Sequence, residues 1–239
     1  MRKSTFFNLL VWLVLIPGPL FLGKHLPGRW YYLTSTLIVL ELLIPFFLAF
    51  EGRKPQAREL AVLAVMCALA VAARVAIPIP NFKAIYAILM ITGISFGPET
   101  GFLVGAISAL SSNFFFSQGP YTPWQMMAYG TGGMLAGFLF QKGRLPRKPL
   151  VMGLVGLFGV LLVVGPILDT CTVFMAPITL NLKNVLAIYL SGFGVNITQS
   201  LSTFAVLFLL GNPILEKLNR IQVKYGMQES RSDFQEENH

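Results

Sequence analysis

Apolar runs of about twenty residues, broken by short polar stretches, repeat along the chain. A helix needs roughly 20 mostly apolar residues to cross the hydrocarbon core of a bilayer. Eight segments meet or approach that length: about 6–23, 30–50, 58–79, 83–97, 99–117, 121–141, 149–169 and 184–210. The fourth is short, and the last is long enough to protrude. The first contains Pro17 and Pro19 and has no A-x-A-like cleavage site, so it reads as a retained span and not as a signal peptide. The pattern predicts an all-α membrane protein.

The runs differ in texture. Residues 1–56 hold two bulky spans, rich in Leu and Phe, and the start of a charged link, EGRKPQARE. Residues 57–225 hold six spans richer in Gly, Ala, Ser and polar residues. Small residues let helix backbones approach closely. This predicts a six-helix core preceded by two additional N-terminal transmembrane helices. Residues 226–239, which include QESRSDFQEENH, are polar and read as a disordered cytoplasmic tail.

Composition agrees, with 55% hydrophobic and 12% charged residues. The net charge of +8 takes its meaning from topology. With the N-terminus inside, thirteen Lys and Arg fall in inner loops and tails, against Lys24, Arg29, Lys83 and Lys183 outside. The asymmetry predicts a multi-pass plasma-membrane protein with an even number of spans and both termini cytoplasmic. Basic residues shared among loops do not make a nucleic-acid patch.

Chemistry is sparse. There is no HExxH, GxSxG or P-loop, and the two histidines are His25 and His239. Glu41 and Asp169 are the carboxylates within or at the ends of spans, and Cys67 and Cys171 lack metal spacing. The expectation is a protein that is not an enzyme and binds no metal.

Two patterns carry more. Ala64, Ala68, Ala72 and Ala76 recur every four residues and so share one helix face. That stripe suits either intramolecular packing or a partner helix. Gly101, Gly105 and Ala109, and Gly133 with Gly137, repeat the spacing, and there packing is expected. The second pattern is polar. At the expected outer ends lie Ser111, Ser112, Asn113 and Gln118, then GPYTPWQMMAYG with Trp124, Gln125 and Tyr129. Asp169, Thr170, Thr172, Asn181, Asn184, Tyr189, Asn196 and Gln199 follow. Thr122 is a plausible N-cap ahead of Pro123. Tyr121 and Tyr189 fit an interfacial belt. Asn113, Gln125, Asn196 and Gln199, on three spans at similar depth, predict a polar cavity. With aromatics beside it, such a cavity suits a ring-bearing ligand. Arg74 is expected to snorkel to the headgroups, with an anionic ligand group or Glu41 as other partners. Lys83 is expected in solvent.

The run FGPETGFLVGAISALSSNFFFSQGPYTPWQMMAYGTGGMLAGFLF resembles the S components of energy-coupling factor (ECF) transporters. These are substrate-binding membrane subunits of ABC-type vitamin importers. The resemblance covers roughly residues 57–225 and rests on FGPExGFxxGxxSxxxxN, GPxTPWQM and the small-residue first core helix. It implies a six-helix S-component core that captures a vitamin near the outer surface. It also implies docking of Ala68 and Ala72, with Ala64 and Ala76, on a transmembrane T subunit. Two ATPases would supply ATP hydrolysis, and this chain would bind no cofactor. The implied pocket draws on Asn81 with Phe82, and on Asn113, Gln118, Trp124 and Gln125. From later helices it draws on Asp169, Thr172, Asn184, Asn196 and Gln199.

The TPWQM-type members look most like those for cobalamin, another corrinoid or a precursor. Riboflavin, thiamine precursors, folate and a queuosine precursor stay open. Two other readings stand beside this one: a stand-alone secondary transporter, and a non-transporting membrane scaffold.

Overall fold

A computed structural model describes residues 36–37, 39–41, 43–44, 56–75, 81–176 and 181–226 of the chain. Among the described residues all regular structure is helical. The first expected span, much of the second, the link at 45–55 and the tail beyond 226 lie outside the described residues.

Helix α1 (Ala57–Val75) buries Leu63, Met66, Ala70 and Arg74, one face at helical spacing. Helix α2 (Ile85–Phe96) is buried on all sides, every residue but Ser95. Its 12 residues reach about 18 Å, too short to cross a bilayer alone. Gly97, with φ of 96°, turns the chain at the end of α2. A side chain would be strained there, and Pro98 then opens α3 (Pro98–Phe116).

Helices α3 and α4 (Thr122–Phe140) pack most extensively. A Cβ on Gly101 would lie 2.6 Å from the Gly133 carbonyl oxygen, and one on Gly105 would lie 2.5 Å from that of Tyr129. One on Gly137 would lie 2.8 Å from the Gly93 oxygen of α2. These glycines let three backbones touch, as expected for those two stripes. The alanines of α1 behave otherwise. Ala64, Ala68 and Ala72 are exposed among the described residues, and Ala76 lies outside them.

The seventh expected span is longer than 149–169. Helix α5 (Pro149–Gly159) continues through a π-helical turn (Val160–Val164) into α6 (Gly165–Met175). Pro166 has no N–H for the carbonyl four residues back, and the wider turn lies just ahead of it. The eighth span likewise exceeds 184–210: α7 runs Leu182–Lys224, 43 residues with Pro213 inside. Two helical stretches, Pro149–Met175 and Leu182–Lys224, are long and apolar enough to cross a membrane.

The short α2 is the central post of the bundle, touching α1, α3, α4 and α7. The backbone N–H of Lys83, just before α2, donates to Ser202 Oγ at 3.1 Å. The Tyr86 hydroxyl donates to Gln199 Oε1 at 3.1 Å. The start of α2 is therefore level with residues 199–202 of α7. The stretch Leu182–Thr198 rises beyond it by roughly 25 Å, at 1.5 Å per residue.

Candidate functional site

Around the first turn of α2 lies a buried cluster of Tyr86, Tyr129 and Gln199. The Tyr86 and Tyr129 rings meet edge to face, centroids 5.0 Å apart. All three side chains are buried. One turn along α4 from Tyr129, Gln125 opens onto a recess. The recess is walled by the α3–α4 loop, the start of α4 and the end of α6.

Asn113 is the hub of one side. It is fully buried near the end of α3. Its Oδ1 accepts from Arg74 Nη1 at 3.0 Å. Its Nδ2 donates to Gln125 Oε1 at 2.7 Å and to Thr122 Oγ1 at 3.2 Å. Thr122 in turn donates to Gln118 Oε1 at 2.9 Å and accepts from the Gly119 N–H at 3.2 Å. So Thr122 is not the N-cap. It is the first helical residue, Tyr121 precedes it as cap, and its hydroxyl joins the network instead. The network ties α1, α3 and α4 together where the α3–α4 loop turns. Ser117, with φ of 75°, makes that turn.

The opposite wall has its own pair. Asn196 Nδ2 donates to Asp169 Oδ2 at 2.7 Å, both residues buried. Asn196 sits against Gly165, where a Cβ would come within 2.7 Å of the amide carbon. Thr170 and Tyr189 share a hydrogen bond of 2.7 Å, so Tyr189 ties α6 to α7. The Tyr121 hydroxyl donates to the Ser117 carbonyl at 2.7 Å, and Tyr121 lines the recess.

That cavity measures about 620 Å³ and opens between α4 and α6. Gln125, Leu168, Cys171, Thr172 and Met175 help to line it. Its volume is within the roughly 300–1,000 Å³ usual for small-molecule sites. Trp124 lies next to it, stacked on Phe174 with centroids 5.7 Å apart. The indole N–H of Trp124 is buried with no acceptor among the described residues. A buried donor left unpaired is costly, and it is a ready handle for an acceptor on a ligand.

The expected site residues divide accordingly. Asn113, Gln118, Gln125, Tyr129 and Gln199 belong to the hub and the buried cluster, and Asp169 with Asn196 to the far wall. Thr172 and Trp124 sit at the cavity, Thr172 exposed with its hydroxyl on the Leu168 carbonyl at 3.1 Å. Asn81, with φ of 60°, is exposed in the turn before α2. Asn184 stands apart in the first turn of α7, where its N–H donates to Asn181 Oδ1 at 2.8 Å.

Three residues escape the sequence pattern or contradict it. Tyr86 is hidden in an apolar run. Arg74 is buried, donates to Ser112, and does not snorkel. Its intramembrane charge is the signal that could have found it. Lys83 is half-buried, not free in solvent.

The described N-terminal residues touch this region. Thr36 Oγ1 donates to the Pro120 carbonyl at 3.2 Å, and Val39 packs with Trp124 and Cys171.

The bundle pairs two helical stretches long and apolar enough to cross a membrane with a recess of small-molecule size. The family model for "ECF-type riboflavin transporter, S component" matches residues 54–218. The chain belongs to this family of ECF transporter S components, a transporter class and not an enzyme class. S components are plasma-membrane proteins. No curated protein and no solved structure matches the chain.

Proposed function

We propose that this chain captures a vitamin-like molecule in the recess between α4 and α6 and hands it inward as part of an ECF importer. The observation that carries the reading is that cavity of about 620 Å³, lined by Tyr121, Gln125 and Thr172. The unpaired indole N–H of Trp124 lies beside it, near the expected outer surface. Aromatic faces and a few fixed amides are what a ring-bearing ligand needs. The family description puts riboflavin first among cargoes. The corrinoid preference drawn from TPWQM has no counterpart in that description, and a planar ring of flavin size suits a 620 Å³ cavity better than the bulkier corrinoid.

In this reading both termini are cytoplasmic. The exposed Ala64–Ala68–Ala72 face of α1 meets the T subunit, and two ATPases drive transport. A face of small residues left bare by its own bundle suits close helix contact with a partner. The test is uptake of labelled riboflavin in cells carrying a T subunit and its ATPases. Ala68→Trp should abolish uptake and co-purification of the T subunit. Cargo binding by the isolated chain should not change. Uptake that survives Ala68→Trp, or that needs no T subunit, would refute this reading and favour a stand-alone transporter.

A further inference from the structure

Among the described residues, Arg74 is the one buried cation. Its Nη1 donates to two neutral groups, Ser112 Oγ and Asn113 Oδ1. Its guanidinium carbon stands 4.7 Å from the Phe116 ring centroid and 5.5 Å from that of Tyr129. Its Nε is buried with no partner among the described residues. Lys83 Nζ lies 5.7 Å from the same Phe116 ring, so the two cations share one aromatic neighbour.

No carboxylate pairs with either cation among the described residues, and the sequence between them at 76–82, AIPIPNF, carries no charge. Asp169 is committed to Asn196 across the recess. Glu41 Oε2 is buried with no partner among the described residues, and neighbouring Val39 packs with Trp124 and Cys171 of α4 and α6. A buried charge without a counter-charge is expensive, and an anion arriving there repays that cost. A guanidinium with free N–H groups matches carboxylate or phosphate oxygens in particular.

We propose that Arg74 and Lys83 form the receiving site for an anionic group, a carboxylate or phosphate, on the cargo. The site adjoins the buried cluster at the start of α2, since Arg74 faces Tyr129 and Tyr129 meets Tyr86. That position favours a cargo group over a lipid headgroup, because the guanidinium is inside the bundle. The inference rests on the substrate-capture reading and narrows its substrate class.

Two measurements on the full chain in neutral detergent test it. The first is thermal unfolding in sodium phosphate against sodium chloride of equal ionic strength. Phosphate should raise the Tm of the unaltered chain, Arg74→Lys should keep part of the rise, and Arg74→Gln and Lys83→Gln should lose it. Lys83→Gln is in a half-exposed loop and so tests the site even if Arg74→Gln does not fold. The second is binding of riboflavin and of riboflavin 5′-phosphate, a matched neutral and anionic pair. The phosphate ester should bind roughly 30-fold more tightly, and Lys83→Gln should erase most of that advantage.

Equal binding of the two flavins with no phosphate effect on Tm would overturn the anion site and leave the capture reading standing. A phosphate effect lost in Lys83→Gln, with neither flavin bound, would support the anion site while removing flavin as the cargo. A phosphatidylglycerol adduct in native mass spectra, lost on Arg74→Gln, would overturn the cargo assignment in favour of a headgroup.

Discussion

The bundle is joined in two different ways. Helices α2, α3 and α4 meet backbone against backbone, through Gly93, Gly101, Gly105, Gly133 and Gly137. Helices α5, α6 and α7 meet through side chains: Asp169 with Asn196, Thr170 with Tyr189, and Leu207 and Thr203 over Gly156. The first join has no slack, because a backbone cannot change rotamer. The second contains a π-helical turn, an internal Pro213 and a long exposed stretch of α7. The recess lies between the two. A rigid frame holds the Asn113 hub, while a more yielding wall faces it, which suits a site that must admit and release cargo.

The sharpest way to break that comparison is one substitution made on both sides. Gly133→Ala should destabilise the chain by about 3 kcal/mol, because its Cβ would meet the Gly101 carbonyl carbon at 2.8 Å. Gly194→Ala on α7 meets nothing within 4 Å, and should stabilise by up to about 1 kcal/mol through helix propensity. Thermal or denaturant unfolding in detergent measures both. Equal effects at the two positions would erase the distinction between frame and wall.

A smaller effect is expected at the hub. Asn113→Ala removes a partner from Gln125 and from Arg74, both buried or half-buried polar groups, while Thr122 keeps Gln118 and Gly119. It should cost about 1–3 kcal/mol of stability and abolish cargo binding. Binding that persists in a folded Asn113→Ala chain would remove the hub from the site.

The smallest stability change is expected on the wall. Asp169→Asn keeps the shape and one hydrogen-bonding partner for Asn196, so unfolding should shift by about 1 kcal/mol or less. If the wall shapes the recess, cargo affinity should fall further than stability does. A matched loss of both would make the Asp169–Asn196 pair a fastening and nothing more.

The helices were largely legible in the sequence because burial and lipid both select apolar runs of fixed length. The glycine stripes of α3 and α4 announced close packing for the same reason. Span ends were harder to read. A run of apolar residues marks where a helix can sit in lipid and not where it ends: α6 continues past Asp169, and α7 continues to Lys224 through the polar GNPILEKLNRIQVK, so 149–169 and 184–210 stop early.

The site was legible as a set of amides at matching depth, but not as a geometry. Asn113 and Gln125 pair with each other, Asn196 with Asp169 and Gln199 with Tyr86, and that division depends on which side chains of separate helices meet. A long cation near a span end usually reaches water, and by that rule Arg74 belongs at the headgroups. Which side chain turns inward is set by Ser112 and Asn113 on a different helix, and no local pattern shows that.

The most direct test of the central claim is native mass spectrometry on the intact chain, purified in mild detergent from cells grown in rich medium. A tightly held, vitamin-sized mass should be present, and should be lost on Asn113→Ala or Trp124→Ala. A folded chain that carries no such mass, and binds neither flavins nor corrinoids when offered, would contradict the reading of the recess as a capture site.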